Sequence, residues 1–171
     1  MSSSPFPDVR WGSERSILRK PLIALSTTRL GSWLVRKVTP LDRRILLRSK
    51  GRLTMLGPIG LPTLLLTTTG SKSGLPRTTP LLYYREGDTL FVVGSNFGQA
   101  HHPAWTGNLL TNPQATVTVG GRGVLVRATQ LTGPESDRVF AQFVHVARTY
   151  SRYRERTTRQ LRIFALEATA A

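Results

Sequence analysis

Leu64-Leu65-Leu66-Thr67-Thr68-Thr69-Gly70-Ser71-Lys72-Ser73-Gly74-Leu75-Pro76-Arg77-Thr78-Thr79-Pro80-Leu81 is the most informative stretch of the chain. The apolar, threonine-rich run from Leu64 to Thr69 reads as a buried strand. It ends in Gly-Ser-Lys-Ser-Gly, where two glycines free the turn to take left-handed backbone angles and to leave amides facing outward. A second extended run begins at Arg77. Lys72 and Arg77 flank the amides with fixed positive charge, which suits a phosphate or carboxylate on a bound molecule. An ordinary hairpin with solvated basic residues would have the same local sequence. The Gly-x4-Gly-Lys spacing of a Walker loop is absent, and no Gly-x-Gly-x-x-Gly follows a strand, so a dinucleotide Rossmann site is not indicated.

Outward from this turn the chain reads as short strands. Leu64–Thr69, Thr78–Arg85 and Leu90–Ser95 form a meander, with Glu86-Gly87-Asp88 as its second hairpin turn. A short helix is expected from Pro103, whose ring suits a first helical turn, to Thr111, stopped by Asn112-Pro113. Ala115–Val119 and Val124–Leu131 pair across Gly120-Gly121-Arg122-Gly123. Thr132-Gly133-Pro134-Glu135 has the Thr-x-x-Glu form of a capping box and starts a helix to about Val146. Leu161–Leu166 supplies a closing strand. Short strands with few intervening helices predict a β-barrel, in a mainly β protein with flanking helices (α+β), rather than a doubly wound sheet. Two regions are expected, a basic N-terminal helical extension over 1–52 and the barrel over 53–171.

A second block, Ser95-Asn96-Phe97-Gly98-Gln99-Ala100-His101-His102-Pro103-Ala104-Trp105-Thr106-Gly107-Asn108-Leu109, follows the third strand. With the turn at residues 70–77, it resembles the deazaflavin-dependent nitroreductase family of actinobacteria, which binds coenzyme F420 in a split β-barrel. The resemblance covers roughly residues 64–166, with its pieces in the family's order. They are Gly-x-Lys-Ser-Gly-x-Pro-Arg, the Pro-Leu pair, the strand ending at Ser95, His-Pro-x-Trp-x-x-Asn-Leu with Asn-Pro, and a late Tyr-x-x-Tyr before Thr157 and Arg159.

The resemblance implies reduced F420 as cofactor and hydride transfer to a quinone-like, enone or nitro acceptor. The coenzyme's anionic part needs donors and cations, which Ser71, Lys72, Ser73, the turn amides and Arg77 supply. In the family the segment after the arginine runs along the ring, here Thr78, Thr79, Pro80, Leu81 and Leu82. The strand end Val93-Gly94-Ser95-Asn96 would touch the same cofactor, as would Ala104-Trp105-Thr106-Gly107-Asn108 at a helix start, whose amides favour an anion. Trp105 could equally be a core aromatic and Asn108 a helix-surface amide. Tyr150 and Tyr153 match the family's tyrosine pair that closes over the ring. Either Tyr150 or Ser95 could donate to an oxygen gaining charge, with Tyr153 helping to close the pocket. Two departures stand out. Ala147 replaces an aromatic residue common in the nitroreductase members, which suggests a differently shaped acceptor pocket, and Ser71 replaces a common arginine.

Composition fits this class and excludes others. The chain of 171 residues suits one barrel core. With no cysteine, neither disulfides nor thiolate chemistry is available, which favours a reducing cytoplasmic setting. The N-terminus lacks the pattern of a signal peptide, and no apolar run approaches the ~20 residues that span a bilayer. The central carboxylates Glu86, Asp88, Glu135 and Asp137 sit in turns or caps, which argues against a paired-carboxylate hydrolase. His101, His102 and His145 make no metal set. Hydride transfer needs orientation and shielding more than an acid or base. The alternative is a non-enzymatic flavin or deazaflavin carrier of the split-barrel type.

The net charge of +15 is uneven. Residues 1–52 hold twelve Lys and Arg against three acids, while residues 53–144 hold six against four. No recognised nucleic-acid motif accompanies this charge, so no nucleic-acid partner is expected. Leu18, Leu22, Leu25, Trp33 and Leu34 mix with Arg15, Arg19, Lys20, Arg29, Arg36 and Lys37, followed by Ile45, Leu46 and Leu47 beside Arg43, Arg44 and Arg48. Such a mixture suits either helices capping the barrel or peripheral contact of residues 1–48 with anionic membrane at the inner face of the plasma membrane. Pro21 and Gly31 interrupt any single helix. A monomer or weak homodimer is expected.

Overall fold

The computed structural model describes residues 4–9, 45, 47–49, 61–146, 149–155 and 157–169. The expected helices within residues 17–48 therefore lie almost wholly outside the described residues, apart from helical positions at Ile45, Leu47 and Arg48. Six strands, β1 (Thr63–Thr69), β2 (Pro76–Glu86), β3 (Thr89–Val93), β4 (Gln114–Val119), β5 (Arg122–Leu131) and β6 (Ile163–Ala168), are described. They close into an antiparallel barrel in the order β1-β2-β3-β6-β5-β4. The helices are α1 (Ala104–Thr111), α2 (Gly133–Val146) and α3 (Thr149–Glu155). The expected mainly β barrel with flanking helices is the observed architecture.

The hairpins are tighter than the sequence suggests. Glu86 pairs with Thr89 and Val119 with Arg122, leaving two-residue turns at Gly87-Asp88 and Gly120-Gly121. Gly120 and Gly121 both have positive φ, 56° and 86°, the geometry whose twist matches two antiparallel strands. The capping box at Thr132 does not form. Gly133 opens α2 at φ 60°, and the Thr132 hydroxyl makes no capping bond among the described residues. A left-handed residue there swings the threonine out of line with the first amides.

Alternation along the strands sorts side chains into two layers. Leu64, Leu66, Leu90, Val92, Val117, Val126, Phe164 and Leu166 fill the barrel, joined by Trp105 and Leu109 of α1 and by Phe6 at 2% exposure. Phe91, Val93, Ile163 and Ala165 face outward and are covered by Val139, Phe140 and Phe143 of α2 and Tyr150 of α3. Thus α1 closes one end of the barrel, and α2 with α3 covers one side.

Candidate active site

The turn at Gly70–Arg77 is built around its glycines. Gly70 N–H donates to Leu75 O at 2.9 Å and Gly74 N–H to Gly70 O at 2.8 Å, with Gly74 at φ 65°. A Cβ on Gly70 would stand 2.7 Å from Ser73 Oγ and 3.2 Å from Leu75 O, so no larger residue fits without moving backbone. Ser71, Lys72, Ser73 and Arg77 are exposed. Among the described residues, Arg138 pairs with Glu86 and Arg154 with Asp137, while neither Lys72 nor Arg77 is neutralised by a carboxylate.

Asn108 ties this turn to α1. Its Nδ2 donates to Thr68 Oγ1 at 2.9 Å, and its Oδ1 accepts from Ser71 N–H at 3.0 Å. It is buried at 6% exposure, so the helix-surface alternative does not hold; both ends of its amide are engaged inside the protein. Trp105 is a core aromatic, 5.7 Å from the Phe164 ring. Thr106 is fully buried, donating to Pro103 O and accepting from Arg162 Nη1. Of the expected α1 contacts, only Ala104 and Gly107 retain exposed surface.

The first half of β2 links the remaining pieces. Thr78, Thr79, Pro80, Leu81 and Leu82 are each half-buried. Thr79 and Leu81 pair with Leu66 and Leu64 and share their inward face, so Thr78, Pro80 and Leu82 look outward. Tyr83 pairs with Val92, so β3 ends at Val93 opposite Leu82. Beyond it, Gly94 lies so close to α1 that a Cβ there would meet Thr106 Cγ2 at 2.7 Å. The turn, the outer face of β2, the end of β3 and the exposed side of α1 therefore converge.

Arg159 holds the chain between β3 and α1. Its Nε donates to Gln99 O at 2.9 Å, Nη1 to Gly94 O at 3.1 Å and Nη2 to Ser95 O at 2.7 Å. Nη1 also lies 3.1 Å from His102 Nδ1. Burial, and then the charge of Arg162, pull the Arg159 pKa down. Within this loop Asn96 and Phe97 have φ of 45° and 55°. Ser95 is half-buried, and its hydroxyl has no partner among the described residues.

The tyrosine pair divides. Tyr150 sits at 6% exposure in the layer between α2 and the barrel, its ring 5.3 Å from Phe143 and 5.8 Å from Tyr153. Burial, with a smaller contribution from Tyr153, raises its pKa well above the usual phenol range, so it stays neutral. Tyr153 is half-buried and meets Phe97 edge-on at 5.9 Å. Ala147 lies outside the described residues. Phe97 and the clamping role of Arg159 were not read from the sequence. Asn96 and Gly98 both tolerate left-handed angles and hint at the turn, but nothing local tells where Arg159 reaches. A cavity of about 330 Å³ beside Thr67, Thr69, Pro76, Gln114 and Leu125 includes none of the expected site residues. It opens beside β1, β4, β5 and the first residue of β2, adjoining the strand ends Thr68, Thr69 and Pro76 that flank the turn, while the turn's cations lie outside its lining. The described residues contain no cluster suited to a metal ion.

A closed six-strand antiparallel barrel with a few flanking helices is a split-barrel-like fold, and here it carries a cation-rimmed turn and an aromatic pair. Comparison with known proteins gives the family. The description F420H(2)-dependent quinone reductase matches residues 34–168, and the chain belongs to that family. An F420H(2)-dependent quinone reductase of Mycobacterium tuberculosis is 37% identical over 122 residues, covering 69% of this chain and 81% of that protein. Among solved structures, an F420-H2 dependent reductase, FDR-A, is 33% identical with a TM-score of 0.58, covering 62% of this chain and 94% of that one. A second, described as a domain-swapped dimer, is 31% identical with a TM-score of 0.59, covering 78% and 98%. The chain is thus an oxidoreductase that uses reduced coenzyme F420 and acts on quinones, and the carrier alternative falls away.

Proposed function

We propose that F420H2 lies along the outer face of β2, with its anionic part on the turn at Ser71–Arg77 and its ring between Pro80 and the Ser95 loop. The observation that carries this reading is the pair of exposed, unneutralised cations on a turn that Asn108 anchors to α1. Lys72 serves as a compact charge and Arg77 as a planar fork, with turn amides between them. Gly107 and Ala104 allow close approach on the α1 side. Bound there, the coenzyme would supply two electrons and one hydrogen as a hydride to the quinone, which with one further proton from water would become the hydroquinone.

In this reading the chain's own residues do the rest. Thr78, Pro80 and Leu82 would line the ring from the outer face of β2, and Gly94 lets the loop pack against α1. The Ser95 hydroxyl donates to the quinone oxygen as it gains charge. Tyr150 stays behind Tyr153 as its packing support, its neutral phenol too buried for acid–base work. Enone and nitro compounds are secondary acceptors of the same pocket. Residues 10–48 add peripheral contact with anionic membrane, which would bring a lipid-soluble quinone near the site; this rests on their basic and apolar residues.

Lys72→Ala combined with Arg77→Ala tests the coenzyme placement. The double variant should weaken F420 binding by about tenfold or more, as charge-assisted hydrogen bonds are lost. Fluorescence quenching by the coenzyme reads this directly, and undiminished affinity would sink the assignment of the turn.

A further inference from the structure

Asn96 and Phe97 are the non-glycine residues with positive φ among the described residues. A left-handed angle crowds Cβ against the following carbonyl, and for a bulky side chain such an angle marks strain or a functional constraint. These conformations persist where the surroundings over-determine them. Here the surroundings are Arg159. Its guanidinium takes the carbonyls of Gly94 and Ser95 before the strained pair and of Gln99 after it, with His102 Nδ1 as a fourth partner. All four partners are neutral acceptors, and they engage most of the five N–H donors of the fork. Asn96 Nδ2 adds a bond to His101 O at 3.1 Å.

The strain has a visible product. Phe97 is held 38% exposed, with its ring edge-on to Tyr153 at 5.9 Å and 78°. Burial does not account for an aromatic ring kept in solvent on a turn that glycine or asparagine would make without strain. We infer that Phe97 and Tyr153 form an aromatic lip that grips the flat ring of the quinone, and that Arg159 is the positioning residue that holds Phe97 there. The inference rests on the site proposed above, since the lip borders the Ser95 loop. A conjugated, electron-poor ring suits this lip, because aromatic faces and edges pair in offset or edge-on contacts whose geometry tolerates different ring sizes.

The test uses the full chain with F420H2 and 2-methyl-1,4-naphthoquinone as acceptor. Phe97→Gly should raise the KM for the quinone by about tenfold, as one aromatic contact is lost. Its affinity for F420 should be unchanged and its melting temperature equal or higher, because glycine takes φ 55° freely. Phe97→Tyr should restore the KM. Arg159→Lys, which cannot reproduce the planar fork, should raise the same KM and lower hydrogen-exchange protection of amides 94–102. Adding Phe97→Gly to it should raise the KM no further. An unchanged KM in Phe97→Gly overturns the lip, and fully additive effects in the double variant overturn the role of Arg159. If Arg159→Lys does not fold, hydrogen exchange and KM in Arg159→Gln replace it under the same criteria. A wild-type protein that binds F420 yet whose bound F420H2 is not oxidised by the quinone refutes the site reading as a whole. Normal wild-type turnover with an unaltered Phe97→Gly refutes this inference alone.

Discussion

At His102, burial first and then the charges of Arg162 and Arg159 hold the imidazole pKa below its ordinary 6.5. The arrangement needs the neutral ring, because Nδ1 can accept from Arg159 Nη1 only while unprotonated. In the unfolded chain the ring titrates near its reference value, so below that pH the unfolded state takes up a proton that the folded state resists. The stability contributed here is fully present above pH 6.5 and is lost as the pH falls from 6.5 through the lower folded-state pKa. Thermal melts between about pH 8 and pH 5 should show this, the range in which histidine changes charge. His102→Asn, whose carboxamide oxygen can accept the same bond without titrating, should lose less melting temperature on acidification than the wild type. Equal slopes would show that the loop does not depend on a neutral His102. Tyr150 illustrates the opposite case. Its family match marks it as a site residue, but its burial against Phe143 and Tyr153 gives it a packing role and leaves Tyr153 nearer the loop.

Among the elements, α1 does most to set the geometry of the candidate site. It plugs the barrel with Trp105 and Leu109, stops β3 from approaching closer through Thr106, and fixes the glycine turn through Asn108. Asn108→Ala would leave the Thr68 hydroxyl, 1% exposed, with only its long bond to Arg77 O at 3.4 Å, and release the Ser71 amide. Leaving buried polar groups unpaired costs about 1–3 kcal/mol, and in a chain of this size each kcal/mol lowers the melting temperature by about 2–4 °C. Coenzyme affinity should fall as well, because the turn loses its anchor. Asn108→Asp should be milder, since its carboxylate still accepts from Ser71 and Thr68 can turn its hydroxyl to donate. A variant with normal melting and normal F420 affinity would show that the helix does not set the turn. The strands were legible because threonine-rich alternation and glycine turns are local signals, and all six expected strands appear with ends moved by one or two residues. The pairings β1–β4 and β3–β6 that close the barrel were not, because long-range register has no local signature. For the same reason the sequence showed Asn108 and Arg159 as motif residues without showing what each would hold.

At the scale of the whole molecule, the uneven charge meets a structural fact that the sequence did not suggest. Phe6 is buried with the barrel's interior residues, and Arg85 donates to Pro7 O at 3.3 Å and to Ser4 Oγ at 2.7 Å. Residues 4–9 are therefore part of the barrel's packing, although the sequence groups them with the basic segment of residues 1–52. Deleting the N-terminal segment would remove a core aromatic along with the basic residues and could not separate membrane contact from stability. No described helix is long and apolar enough to cross a membrane. The discriminating variant keeps residues 1–9 and replaces Arg15, Arg19, Lys20, Arg36, Lys37, Arg43 and Arg44 with glutamine. Each basic residue near an anionic surface contributes about 1 kcal/mol, and the attraction fades within a Debye length, about 8 Å at physiological salt. Flotation with phosphatidylglycerol-containing vesicles should therefore recover the wild type at low salt, release it at high salt, and fail to recover the glutamine variant. That variant should keep its turnover of a water-soluble quinone and lose turnover of a long-chain quinone embedded in the same vesicles. If the wild type ignores the vesicles at low salt, the segment serves the barrel alone, and the quinone must reach Phe97 and Tyr153 from solution.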